Sequence, residues 1–310
     1  MKHLFLINPA AGKKDSTFYC ASQIKALCKD LDYDILVSKQ PGDLTRFARE
    51  AAQSGEEVRL YACGGDGTLN EVVNGAAGYP NAAVTSWPVG SGNDFVKVFS
   101  DPARFRSLEA LLDAEETSFD LIHCGDYYAI NICSMGIDAR IASEMAQYKK
   151  IPLLSGFGAY ALSTLVNVIK GIHEPYIVEI NGERIEANQT LICICSGRYY
   201  GGGFNPVPDS EPDDGELDVL MIKAISRLRV ASLIGDYKAG KYRELPTWIR
   251  HFRTKKVSIQ CAKDTVVNLD GEALWAKEVT FEVCPQALRF FYPRGLSYHC
   301  APDDAVAAVQ

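Results

Sequence analysis

Gly64-Gly65-Asp66-Gly67 places three glycines around one carboxylate, directly after the apolar run Val58 to Cys63 and before Thr68-Leu69-Asn70-Glu71. Glycines let a backbone approach phosphate oxygens closely, and the free N–H groups of a first helical turn point at such an anion. Leu69, Val72 and Val73 have the spacing of one helix face. Thr68 with Glu71 three residues on has the form of a capping box, which predicts a helix starting at Thr68 and gives Glu71 a structural role. Asp66 is the informative residue. A carboxylate beside phosphates repels them unless a divalent cation or a hydroxyl lies between. The plainer reading of the same residues is a tight strand-to-helix turn carrying a surface acid.

The elements that must position this turn alternate. Strand patterns cover residues 3–8, 33–38, 58–63 and 82–90, with helical stretches over 17–29, 44–54 and from Thr68 onward. This alternation predicts a parallel, doubly wound α/β sheet. Ligands of such sheets lie at the carboxyl ends of the strands, here the loops 8–14, 64–68 and 90–94. From about residue 119 the pattern changes to short Val-, Ile- and Tyr-rich strands joined by tight turns such as Asn181-Gly182, which reads as an antiparallel, β-sandwich-like domain with inserted helices. The expected domains are 1–118 and 119–292, with 293–310 packing back on the first or trailing as a loose tail.

The chain of 310 residues has 47% hydrophobic and 23% charged residues, as in soluble globular proteins. Its net charge of −7 argues against nucleic-acid binding through bulk charge. The apolar start MKHLFLINP is too short for a signal peptide. The ten cysteines form no CxxC pair, and most sit in apolar strands, which suits reduced thiols and a cytoplasmic protein. Residues 223–256 carry ten Lys or Arg against Asp236 and Glu244, with Tyr237, Tyr242, Trp248 and Phe252 among them. That mixture suits either a solvated helix face or a surface meeting anionic membrane. The uncharged run 151–169 approaches the length of a membrane span, but Pro152, its glycines and hydroxyl residues and Asn167 favour a buried or lipid-contacting helix.

GxxxxGK[ST] is absent, which excludes a Walker-type NTPase, and the GxGxxG dinucleotide fingerprint is missing from the first strand-turn-helix unit. NPAAGKK, GGDGTLNEVVNG, PVGSGNDF, DDGELDV and LDGE, in this order, resemble the diacylglycerol kinase catalytic family, which includes soluble bacterial lipid kinases and, more remotely, sphingosine kinases. The resemblance covers roughly residues 1–295. The GGDG turn is shared more widely with NAD kinases and phosphofructokinases, and the long β-rich second half favours the lipid branch.

The resemblance implies an ATP-dependent lipid kinase, with diacylglycerol as the leading acceptor and Mg²⁺ as cofactor. ATP contacts would fall on Asn8, Pro9, Ala10, Ala11, Gly12, Ser38, Gly64, Gly65, Asp66, Gly67, Thr68, Leu69, Asn70 and Ser91, where Ser91 replaces the family's usual Thr. A magnesium ion would be held by the Asp214 side chain and the carbonyls of Glu211 and Glu216, its water network reaching Asp120 and Asp66. Oxygen-only ligation of this kind suits a hard cation. Glu272 would be the general base, taking the proton of the lipid hydroxyl. Asp270 would orient Glu272 or help hold a metal. Read without the family, Asp213-Asp214-Gly215 and Asp270-Gly271 are simply turn sequences. Arg198, Tyr199 and Gly201 to Gly203 are expected to border the acceptor cleft. The competing functions are a kinase for a soluble acceptor such as NAD, and a nucleotide-binding regulator without catalysis. A peripheral membrane contact and a homodimer paired through an exposed sheet edge are the expected partners.

Overall fold

The computed structural model describes residues 1–12, 14–90, 93–148, 166–167 and 171–299, with the side chains of 145–148 excepted. Ser91, nearly all of the uncharged run 151–169 and the terminal residues from 300 lie outside the described residues.

Strands β1 (Lys2–Ile7), β2 (Tyr33–Val37), β3 (Val58–Gly64) and β4 (Ala82–Pro88) lie in the order 2-1-3-4, each parallel to its neighbour. β3 and β4 are buried almost throughout, as strands covered on both faces must be. Helices α1 (Thr17–Leu27), α2 (Asp43–Gln53) and α3 (Asp66–Ala76) follow the first three strands. α2 packs closely on α3 at Gly75, where a Cβ would stand 2.5 Å from the Thr45 carbonyl oxygen.

The helix after the glycine turn begins two residues earlier than the sequence predicts, and the capping box does not form. Gly65 is the N-cap of α3 and no side chain caps it. Thr68 is buried inside the first turn, and its Oγ1 accepts a hydrogen bond from Asn8 Nδ2 at 3.1 Å. Glu71 instead reaches across to α2, where its Oε2 accepts from the N–H groups of Gly42 (3.0 Å) and Leu44 (3.1 Å). A carboxylate so placed satisfies donors that α2 leaves open at its positive end. The T-x-x-E spacing therefore served the neighbouring helix. A glycine N-cap brings no competing side chain, so the first-turn N–H groups of α3 keep their capacity for an anion.

After 3-10 turns at Phe95–Val98 and Pro102–Arg106 and the short α4 (Leu108–Leu112), the pairing becomes antiparallel. β5 (Ala114–Cys124), β6 (Tyr127–Ala129), β7 (Ile132–Gly136), α5 (Ile137–Tyr148), β8 (Glu174–Ile180), β9 (Glu183–Cys195), β10 (Leu217–Lys223), α6 (Arg227–Lys238), β11 (Ile249–Thr254), β12 (Lys256–Leu269) and β13 (Glu272–Pro293) follow. β9 and β12 are long enough to pair with β8 along one part and β7 along another, which wraps the sheet around a second core. The tight hairpins at Asn181-Gly182 (φ +51°, +79°) and Asp270-Gly271 (φ +49°, +100°) use left-handed residues, and the β5–β6 turn does so at Gly125 (φ +61°).

Two strands belong to both halves. β5 places Phe119 and Leu121 in the first core and Ile122 and Cys124 in the second. β13 gives Phe281 and Val283 to the second core, then Leu288, Phe290 and Phe291 to the first, where Arg289 and Phe290 pair parallel with Ala83 and Val84 of β4. The expected boundary at 118/119 thus falls inside β5, and all strands join one 13-stranded hydrogen-bonded system. Leu296 and Tyr298, beyond β13, are buried in the first core. Among the described residues no helix is long and apolar enough to cross a membrane.

Glu71→Ala should lower unfolding free energy by roughly 1–2 kcal/mol, the usual scale for losing a helix N-cap. Urea denaturation measures this, and a change below a few tenths would show that the contact to α2 carries no stability.

Candidate active site

The strand ends of the first half are knitted into one floor. The Asn8 N–H donates to the Cys63 carbonyl, and its Oδ1 accepts from the Ala10 N–H, while its Nδ2 holds Thr68. The Ser38 N–H donates to Ile7, and the N–H groups of Val89 and Gly90 both donate to the Gly64 carbonyl. Any Cβ on Gly64 would stand 2.0 Å from Thr68 Oγ1, so only glycine allows this crossing. Asn8 to Gly12, Ser38 and Gly64 to Asn70 are therefore gathered at the carboxyl ends of β1, β2 and β3, where the sequence placed them. Asn70 is buried and lies against the Tyr128 carbonyl of β6, a contact that Asn74 reinforces with two shorter bonds.

The acids divide into two groups. The first lines a cleft of about 320 Å³ between the halves, with Asp66, Asp94, Asp138, Asp270, Gly201 and Gly202 in its wall. Asp66 Oδ1 accepts from the Asp94 N–H at 2.6 Å. Burial pushes the Asp66 carboxyl above its ordinary range, and the Asp94 charge adds to this against the pull of nearby N–H groups. Asp94, itself buried, accepts from the Gly202 N–H at 2.8 Å and pairs with the Lys97 ammonium. The glycine turn of the first half is thus linked through Asp94 to the triple-glycine loop of the second.

Asp270 sits at the tip of the β12–β13 hairpin. Its Oδ2 accepts from the N–H groups of Ile130 (2.7 Å) and Asn131 (3.1 Å), and its Oδ1 from Ile132 (2.7 Å). It clamps the hairpin onto the segment joining β6 to β7. Burial pushes its carboxyl up to about 6 despite these donors, and Asp66 pushes the same way. Glu272 follows two residues later, exposed, opposite Leu269 in the hairpin register. Gly271 lines the cleft, whereas Glu272, the expected base, is not among its lining residues.

The second group surrounds the 211–216 loop. Asp120 is buried on β5, its Oδ2 accepting from the Gly215 N–H (2.6 Å) and its Oδ1 from the Gln286 N–H (2.8 Å) in the bulge of β13. It ties the loop to the two shared strands. Asp214 accepts from the Glu216 N–H at 3.0 Å and pairs with Arg253 at 2.5 Å, and Arg253 also reaches Glu216 at 2.9 Å. Burial nevertheless raises the Asp214 carboxyl to about 6. Asp213, not Asp214, faces Glu211 and His299, whose ligand atoms lie within 4.8 Å of one another. Arg198 stands 3.2 Å from Glu211 and the Tyr298 hydroxyl donates to Asp213. These carboxylates suit a hard cation in donor type. Arg198 and Arg253 already supply positive charge, so a metal held by the Asp214 side chain would compete with Arg253.

The cleft also contains residues that sequence reasoning passed over. Asp94 lies in the third glycine loop, where position alone could have marked it. Asp138 had no signal: it opens α5, accepts from Ser134 Oγ at 2.8 Å, and is held above its ordinary range by burial. Asn268 Nδ2 donates to the same Ser134 hydroxyl at 3.3 Å. Of the residues expected to border it, Gly201 and Gly202 line the cleft, whereas Arg198, Tyr199 and Gly203 do not, Arg198 donating instead to the Ser210 and Tyr298 carbonyls.

Because the folded Asp270 carboxyl is raised, its ionisation costs stability. That cost is absent below the ordinary carboxylate range and fully present once pH passes about 6. A carboxyl-carbon NMR titration should give Asp270 a midpoint near 6. A midpoint near the ordinary value of about 4 would show that the three N–H donors outweigh burial.

Comparison with known proteins agrees with this geometry. Residues 2–124 match the diacylglycerol kinase catalytic domain, and residues 131–292 match the YegS C-terminal NAD kinase beta sandwich-like domain. A Shewanella frigidimarina protein named "Probable lipid kinase YegS-like" is 30% identical over 268 residues, covering 84% of each chain. A candidate lipid kinase from Staphylococcus carnosus is 26% identical over 271 residues, covering 86% of this chain and 87% of its own. The crystal structure of a candidate diacylglycerol kinase from Bacillus anthracis superposes with a TM-score of 0.76 at 24% identity, over 96% of this chain and 98% of that one. An Archaeoglobus fulgidus NAD kinase solved with ATP shares the fold at a TM-score of 0.52 and 12% identity, over the full length of both chains. With both halves matched in order along a continuous chain, this protein belongs to the diacylglycerol kinase catalytic family, its second half being the YegS-type β-sandwich-like domain.

Proposed function

We propose that this protein is an ATP-dependent lipid kinase that phosphorylates the hydroxyl of diacylglycerol, giving phosphatidic acid, at the cytoplasmic face of a membrane. One observation favours a lipid over a soluble acceptor. The cleft holding Asp66 and Asp270 shares Asp138, Ile141, Tyr200 and Phe204 with a second pocket, whose other walls include Ile137, Leu191, Ile222, Ile225, Val230, Leu233 and Ile249. A chamber with carboxylates in its wall, opening into an almost wholly apolar one, matches a substrate with a hydroxyl at one end and hydrocarbon at the other.

In this reading Asn8 to Gly12, Ser38, Gly64 to Asn70 and Ser91 hold ATP, its phosphates lying against the N–H groups that begin α3. The acceptor oxygen forms a bond to the γ-phosphorus as the bond to ADP breaks, and the hydroxyl proton passes to the Glu272 carboxylate. Asp270 fixes the hairpin tip that carries Glu272. A bound Mg²⁺ would supply charge neutralisation, with Asp214, Glu211 and Glu216 as its holders and Asp120 beside their loop; Asp66, expected in the same water network, lies instead with Asp94 and Asp270 in the cleft. Positioning and fixed dipoles do the remaining work.

Labelled ATP, Mg²⁺ and a lipid panel in mixed micelles, with NAD as a parallel acceptor, test this directly. Transfer to diacylglycerol is expected. Transfer to NAD alone would overturn the lipid reading, and transfer to no acceptor would favour a regulator. Glu272→Gln should lower kcat by roughly 10²–10⁴-fold with ATP binding kept. Near-normal turnover would remove Glu272 as the base.

A further inference from the structure

The basic segment 223–256 narrows sharply once its partners are known. Arg250 pairs with Glu183, Arg253 with Asp214 and Glu216, Arg243 with Asp209, and Lys241 with Asp236. Those side chains are committed to carboxylates within the fold. Lys256 also stands 3.8 Å from Glu282, and Lys223 donates to the Thr247 carbonyl. Helix α6 carries Arg227, Arg229 and Lys238. Val230, Leu233 and Tyr237 face inward and wall the apolar pocket. The opposite face carries Leu228, 86% exposed, with Ala231, Ser232 and Gly235 also exposed and no acid among them. Ile234, 42% exposed, stands at the edge between the two faces and also lines the pocket. Arg227 and Lys238 flank one side of the outer face and Arg229 the other, where Asp236 also lies, paired with Lys241. The Arg229 guanidinium lies over the Trp248 ring at 5.1 Å, and the Lys238 ammonium over Phe204 at 5.4 Å.

We propose that α6 is a membrane-docking helix that lies on an anionic lipid surface and brings the mouth of the apolar pocket to it. The outer face has an apolar centre with cationic flanks, the arrangement by which an interfacial helix buries side chains among acyl chains and keeps its charges at the headgroups. Charge complementarity selects an anionic bilayer as the occupant. A second copy of the chain would place the same cations opposite one another, and like charges so juxtaposed are costly. The location of the helix supplies the functional reason. One side of α6 is the pocket wall and the other is the docking face, so a lipid leaving the bilayer meets the pocket without crossing water. This use of the pocket rests on the lipid-acceptor reading, whereas membrane contact itself can be measured without turnover.

The experiment is co-sedimentation of the full chain with vesicles of phosphatidylcholine alone or with one-third phosphatidylglycerol. The wild-type protein should bind the anionic vesicles, more weakly as salt is raised, and leave the neutral ones. Leu228→Asp, and separately Arg229→Gln with Lys238→Gln, should each weaken binding roughly tenfold. An acid in the first turn of a helix favours folding, so a weakened Leu228→Asp variant is not explained by unfolding. Turnover on short-chain, monomeric diacylglycerol should be unchanged in both variants. Unaltered vesicle binding in both would overturn the proposal. So would a vesicle-free dimer, seen by analytical ultracentrifugation, that Leu228→Asp dissociates. If vesicles bind through α6 but no lipid is phosphorylated, the kinase reading fails and the docking face stands. If monomeric lipid is phosphorylated but vesicles do not bind, the reverse holds.

Discussion

The cleft depends on one carboxylate holding three backbone N–H groups. Asp270 occupies a left-handed turn position, φ +49°, and receives the N–H groups of Ile130, Asn131 and Ile132. Those residues join β6, which Asn70 and Asn74 of α3 hold, to β7 in the second half. One side chain therefore fixes the hairpin tip, the entry to β7 and, through β6, the helix behind the glycine turn. An ionised carboxylate is the side chain that can accept from three donors at once in this geometry. The arrangement keeps a charge in a poorly hydrated place beside Asp66, which is why its proton affinity is raised.

The separation of the acids into two groups follows from the path of the shared strands. Asp120 lies where β5 passes between the cores, and both its oxygens are taken by the 215 and 286 backbones. Asp66, at the start of α3, instead meets Asp94 and lies near Asp270. The two sets are built into the fold separately, and each is anchored mainly by main-chain donors. Asp94 carries the direct link from the first half to the second at the cleft, through Gly202.

Much of the fold was legible because it rests on local signals. Continuous apolar strands with glycine-rich ends announced the parallel sheet, and Asn181-Gly182 announced its hairpin. The GGDG turn was rightly placed between β3 and its helix, but its capping was misread. T-x-x-E is a local pattern, whereas the choice of Glu71 to serve α2 depends on how closely two helices approach at Gly75. Asp138 was invisible for a related reason: a lone acid after a strand gains meaning only when Ser134, Tyr200 and two pockets surround it. No periodicity marks a strand that changes core midway, so the roles of β5 and β13 came only with the structure.

The pairing of β13 with β4 also bears on how the chain is made. β4 exposes its free edge until Arg289 and Phe290 arrive, about two hundred residues later in synthesis. During that interval the ribosome presents a nearly complete parallel sheet with one apolar margin uncovered, a template for pairing with other nascent chains. The first core is therefore completed only once Leu288, Phe290 and Phe291 of β13 have been made. Truncation at the apparent junction between the halves would leave that margin permanently open.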